Sequence, residues 1–178
     1  MDAVILLSHG SVLCGSGEAL WAHASRLNYN GKYEIVEVGY LNYSEPPFLE
    51  SVSRCALEGA TRVIVAPYFL APGKFAKVDV PKAIAEAEAS FPGIQFVLAE
   101  VIGADPALAD ALLEAAERAA PPERWNDDLK SASAHCRASD LCPLFGTPNC
   151  PRQPAPPGTD TTSVSTEVST AVSVGGVQ

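Results

Sequence analysis

The sequence predicts an α/β domain, a four-stranded parallel sheet with helices on both faces. Three observations predict it. Short apolar runs alternate with segments of helical period from residue 1 to about 120. Val63-Ile64-Val65-Ala66 and Phe96-Val97-Leu98-Ala99 are unbroken apolar runs, as expected of parallel strands covered on both faces. Proline, glycine and aspartate punctuate the joints between these segments.

Each element follows in order. Strands are predicted at about 3–8, 33–41, 61–68 and 95–101. The first helix spans about 17–28, with Leu20, Ala24 and Leu27 on one face. The second spans about 45–58, with Ser44 as N-cap, Pro46 in the first turn and Gly59 as its stop. The third spans about 80–91, where Val80, Ile84, Ala87 and Phe91 recur at helical spacing and Pro92-Gly93 end it. The fourth spans about 106–119, capped by Asp105 with Pro106 in its first position. All four apolar stripes read as core.

Composition bounds the function. The chain has 178 residues, 47% of them hydrophobic, enough for a packed core. Its net charge of -9 argues against a nucleic-acid partner, which needs a basic face. The same charge argues against adhesion to an anionic membrane. No apolar run reaches the roughly 18 residues that span a bilayer. Residues 3–7 are too few for a signal-peptide core, and Asp2 replaces the basic leader, so a cytoplasmic protein is expected. Its 5 cysteines are then expected to be free, metal-bound or redox-active.

The pattern breaks at Pro121-Pro122. Three regions are expected: a domain over 1–120, a cysteine-containing extension over 121–150, and a disordered tail over 151–178. The tail holds 9 Ser/Thr, 4 Pro and 3 Gly among 28 residues, with no aromatic.

His9 is the leading candidate for chemistry. It follows the first strand directly, and in open α/β sheets ligands bind outside the carboxyl ends of the strands. Imidazole ligates divalent metals and exchanges protons near neutral pH. The following Gly10–Gly17 stretch is not a phosphate loop, because it lacks both the Gly-Lys-Ser/Thr ending and a third fingerprint glycine. The loop after the third strand, from Ala66 to Lys82, carries Lys74, Lys77, Lys82, Phe75 and Gly73. An aromatic ring among cations suits a flat, negatively charged ligand. A solvated loop with one packed phenylalanine is the plainer alternative.

These pieces together carry a resemblance. Leu6-Leu7-Ser8-His9-Gly10-Ser11 resembles the opening strand of the small CbiX/SirB chelatases, the class II tetrapyrrole chelatases that insert cobalt or iron into sirohydrochlorin. Glu37-Val38-Gly39-Tyr40-Leu41 with Glu45-Pro46 resembles the family's second strand and loop. Gly59-Ala60-Thr61-Arg62-Val63-Ile64-Val65 is also typical of it. Pro67-Tyr68-Phe69-Leu70, Gly73 and Asp79-Val80-Pro81 resemble the third strand and the turn after it. The resemblance covers residues 1 to about 120 and rests on order and spacing.

The resemblance implies metal insertion in cobalamin or siroheme synthesis, with Co2+ or Fe2+ as a substrate and no cofactor needed for catalysis. It implies that His9 binds the incoming ion and helps remove a pyrrole proton. It implies a crevice lined by Ser8, Gly10, Ser11, Tyr40, Tyr68, Gly73, Lys74, Phe75 and Lys77. Lys74 and Lys77 would meet the carboxylates of a sirohydrochlorin-type tetrapyrrole. A homodimer is implied, since such domains pair to enclose the macrocycle. One departure is plain: the family has Gly-Arg-His or Gly-His-His where this chain reads Gly73-Lys74-Phe75, so Phe75 stands in the place of a second histidine.

Other residues divide between roles. His23 reads as a helix-surface residue, Cys55 as core. Glu100, at the end of the fourth strand, is a further crevice candidate. Cys14 near His9 lacks a third partner for nucleophilic catalysis. His135, Cys136, Cys142 and Cys150 could hold zinc or, with a partner ligand, an iron–sulfur cluster, although their spacing matches neither common zinc ribbons nor ferredoxins. A non-catalytic tetrapyrrole carrier and a metal or iron–sulfur adaptor therefore stand beside the chelatase as alternatives.

Overall fold

The structure, a computed structural model, describes residues 1–12, 17–124, 142–147 and 150. Four parallel strands form one sheet in the order β2-β1-β3-β4. They are β1 (Asp2–Ser8), β2 (Ile35–Tyr40), β3 (Arg62–Pro67) and β4 (Gln95–Leu98). The helices are α1 (Glu18–Tyr29), α2 (Phe48–Leu57), α3 (Val80–Ser90) and α4 (Pro106–Glu117). The strand-helix alternation read from the sequence is the one the chain adopts.

β1 is central because Ala3 through Leu7 are all buried. Successive side chains point to opposite faces, so β1 seeds two cores. Ala3, Ile5 and Leu7 join Val52 and Cys55 of α2 and Val80 and Ala87 of α3. Val4 and Leu6 join Leu20 and Ala24 of α1. Ser51 is fully buried on α2, and its hydroxyl donates to the Val38 carbonyl at 2.7 Å, which satisfies it. Beyond the edge of β3, β4 is short and only partly covered. Its pairing stops at Leu98, short of the expected residue 101.

Three local expectations are corrected. The second helix begins at Phe48, not near residue 45, and Pro47 is its N-cap in an extended conformation. A residue before proline is pushed out of the helical region, so Pro46, which precedes Pro47, cannot start the helix. Ser44 is thereby freed from capping and does other work, described below.

The segment before α3 is not simple loop. Phe75–Asp79 forms a π-helical turn that runs straight into α3, with the Val80 N–H donating to the Phe75 carbonyl. Such turns are rare and concentrate at functional sites.

The fourth helix is capped as expected, with the Asp105 carboxylate accepting from the Ala107 N–H at 2.9 Å. Yet α4 buries none of its residues, and Leu112 and Leu113 are 59% and 67% exposed. Its stripe is therefore not core among the described residues. Among the described residues no helix is long and apolar enough to cross a membrane.

Candidate functional site

The strand order creates the site. The chain leaves β1 for β2 on one side, then crosses to β3 on the other side of β1. Loops after β1 and β3 therefore diverge at a topological switch point, where open α/β sheets bind ligands. His9 stands at one lip and the Tyr68–Lys77 segment at the other.

The β1 loop is held from the β2 side. The Leu41 N–H donates to the Ser8 carbonyl and the Asn42 N–H to the His9 carbonyl, each at 2.9 Å. The Ser11 N–H donates to the Ser44 hydroxyl at 3.1 Å. Gly10 is required twice over. Its φ is +87°, and a Cβ there would overlap the Asn42 carbonyl oxygen. The sequence thus needs glycine after His9 so that two loops can dock.

His9 is half-buried. Its Nδ1 lies 3.1 Å from the Gly10 carbonyl oxygen. A carbonyl only accepts, so Nδ1 is the donor and the Nε2 lone pair is left to bind a metal or take a proton. The Phe75 ring lies 4.0 Å from the His9 ring centroid, tilted by 46°. Tyr43 approaches at 5.6 Å in an edge-on arrangement. Phe69 stacks on Phe75 at 6.2 Å. An imidazole thus sits in an aromatic frame, suited to lie against a flat π system.

Tyr43 and Phe69 were not singled out from the sequence. Tyr43 has a φ of +58°, an uncommon setting for a non-glycine residue. The only available signal was its place on the loop after a parallel strand.

The remaining expected residues fall into groups. Ser8 and Ser11 are half-buried and serve the loop contacts just given. Gly73 opens the turn, its carbonyl accepting from the Lys77 N–H at 3.0 Å. Lys74 is exposed, with its ammonium 3.9 Å from Asp79, and Lys77 is exposed nearby. Tyr68 is exposed on the same segment. His23, expected at the helix surface, is exposed and its ring lies 5.7 Å from that of Tyr68.

Tyr40 differs from its expected place in the lining. It is buried beneath α1, only 3% exposed. Its hydroxyl is hydrogen-bonded to the Trp21 side chain, and burial raises its pKa. A Cβ on Gly17 would come within 2.5 Å of that hydroxyl. Tyr40 therefore positions the start of α1 instead of meeting a ligand.

Glu100 is exposed beyond the end of β4. Cys55 is fully buried in the α2 core, and burial pushes its thiol up to about 12. Cys14 lies outside the described residues, as do His135 and Cys136. Cys142 is half-buried and Cys150 buried. Among the described residues no three His, Cys, Asp or Glu side chains converge as a metal site. Two of the four residues of the expected cysteine centre, His135 and Cys136, are thus outside the described part of the chain.

Comparison with known proteins bears on the fold and the family. The CbiX family profile matches residues 3–119. The chain is 32% identical over 156 residues to the chloroplastic sirohydrochlorin ferrochelatase of Arabidopsis thaliana, spanning 82% of this chain and 64% of that protein. It is 31% identical over 118 residues to the sirohydrochlorin cobaltochelatase of Sulfurisphaera tokodaii, spanning 66% of this chain and 92% of that one. Against the Methanococcus aeolicus sirohydrochlorin cobaltochelatase the match is 37% identical over 82 residues, 46% of this chain and 57% of the relative.

Among solved structures, a cobalamin (vitamin B12) biosynthesis CbiX protein from Marinobacter aquaeolei aligns with a TM-score of 0.51 at 32% identity, covering 67% of this chain and 100% of that one. The sirohydrochlorin chelatase SirB of Bacillus subtilis in complex with cobalt shares the fold, with a TM-score of 0.62 at 22% identity over 76% of this chain and 59% of that one. The residues matched span the whole sheet, and His9 lies within them. The chain belongs to the CbiX family.

Proposed function

We propose that this chain inserts a divalent metal, Co2+ or Fe2+, into sirohydrochlorin. The observation that carries the reading is His9 at the β1/β3 switch point, with Nδ1 engaged by Gly10 and Nε2 left available. Family membership and the names of the relatives support it: cobaltochelatase in Sulfurisphaera tokodaii, ferrochelatase in Arabidopsis thaliana.

The reaction replaces two inner N–H protons of the macrocycle with one metal ion. Two N–H bonds break, two nitrogen–metal bonds form from the pairs left behind, and the ion sheds its water. Nε2 of His9 takes one proton as a general base, and solvent takes the other. The same Nε2 lone pair would hold the ion only transiently and first, releasing it to the macrocycle nitrogens before it takes the proton. No resident cofactor enters this scheme.

The macrocycle lies against Phe75 and Tyr43. Its carboxylates meet Lys74 and Lys77, beside the half-buried Ser8, Gly10 and Ser11 and the exposed Tyr68. A single copy forms one wall of such a crevice. The uncovered apolar side chains Leu98, Ile102, Leu112 and Leu113 favour a homodimer in which a second copy supplies the other wall. A cytoplasmic location fits this reading.

The test is anaerobic metallation of sirohydrochlorin followed by absorbance, with Co2+ and then Fe2+. A rate above the uncatalysed reaction is expected, and it collapses in His9→Ala. Spectral binding without acceleration would replace the enzyme with a tetrapyrrole carrier.

A further inference from the structure

Among the described residues, the His9 site has few metal donors and much aromatic carbon. The Phe75 ring covers His9 at 4.0 Å and Tyr43 closes an edge at 5.6 Å. Nδ1 is committed to the Gly10 carbonyl, which leaves a single imidazole nitrogen. Glu45 follows in the docked β2 loop, but even with it no three such side chains converge among the described residues. Protein sites that hold a divalent ion by themselves ordinarily supply three or four donors. The π-helical turn, rare in itself, is what presents Phe75 at this point.

We propose that Phe75 determines the order of binding: it keeps His9 too poor in donors to retain a metal ion, so the ion is captured only when the macrocycle already lies in the crevice. The tetrapyrrole nitrogens then complete the coordination that the protein lacks. Phe75 meanwhile offers its face to the macrocycle in place of a ligand atom. The ion is drawn from solution as needed and is not stored. This inference rests on the chelatase reading above and specifies how that site selects its substrates.

The experiment titrates the protein with Co2+ alone, read by visible absorbance and calorimetry, in wild type and Phe75→His. Only the part of the signal lost on His9→Ala is counted, which removes binding by cysteines elsewhere. Wild type is expected to show no His9-dependent saturation up to millimolar Co2+. Phe75→His, which restores a second nitrogen beside His9, is expected to tighten that binding at least about tenfold. Micromolar His9-dependent binding in wild type would overturn the proposal, as would a folded Phe75→His protein with unchanged affinity.

A second measurement needs no Phe75 variant. In rapid mixing, wild type preincubated with sirohydrochlorin is expected to give a burst of metallation, and wild type preincubated with Co2+ to give none. A burst after metal preincubation would refute the binding order. If wild type shows no metallation whatever, the chelatase reading fails, while the Co2+ titration still decides whether Phe75 holds His9 as a weak site.

Discussion

Nδ1 of His9 lies 3.1 Å from the carbonyl oxygen of the next residue, Gly10, and donates to it. A main-chain carbonyl cannot leave with a rotating side chain, so it fixes both the tautomer and the ring direction. Replacing the imidazole is therefore expected to remove the base without moving the loop. His9→Ala should slow metallation by about a hundredfold, the usual scale for a lost general base. Sirohydrochlorin binding, read by its absorbance shift, should change far less. Equal rates in mutant and wild type would place the chemistry elsewhere.

Gly10→Ala is expected to be more damaging than its size suggests. The added methyl would overlap the Asn42 carbonyl, and the backbone is left-handed there. A strained setting of this kind costs about 1–3 kcal/mol before the clash is counted. The melting temperature should fall, and metallation should fall with it even at temperatures where the sheet remains folded. An unchanged melt would mean that the two loops are not docked as described.

Lys74 and Lys77 should act through charge. Lys74→Ala and Lys77→Ala are each expected to weaken sirohydrochlorin binding by about two- to fivefold, the range for exposed ion pairs. Added salt should weaken wild-type binding and shrink the difference between wild type and variants. Lys82→Ala is the comparison, because Lys82 sits farther along α3 with its ammonium 3.9 Å from Glu86. A loss as large in Lys82→Ala would indicate a diffuse field and no specific contact.

Cys55 predicts an alkaline limit to stability. Burial raises its thiol from 9.0 to about 12, so the folded chain keeps a proton that the unfolded chain releases. Above about pH 9 the unfolded state binds fewer protons, and stability falls as pH rises, by about 1.4 kcal/mol per unit toward pH 12. Below pH 9 this group has no effect on the slope. Chemical denaturation of wild type and Cys55→Ala across pH 8–10.5 should show the shallower decline in the variant. Identical slopes would contradict a desolvated thiol at this position.

Much of this fold was legible in the residues. Continuous apolar runs announced β3 and β4 as parallel strands, although β4 is only partly covered, and Asp105-Pro106 announced α4. His9 was legible as a candidate because a place directly after a parallel strand is where open α/β sheets bind ligands. The start of α2 was misread because Pro46 is favourable in a first helical turn only when no second proline follows it. Tyr40 was misread because a strand-end tyrosine can turn toward the crevice or under a helix. Local sequence carries no information about which.

Sequence alone determined the strand-helix alternation, the helix stops and the histidine at the end of β1, because these depend on neighbouring residues and on periods of two and 3.6. Tertiary structure decided what depends on residues far apart in the chain. It brought Phe75 onto His9, seated Asn42 over Gly10, sent Tyr40 beneath α1 and left α4 uncovered. Those outcomes follow from strand order and loop docking, and neither is set by local propensity.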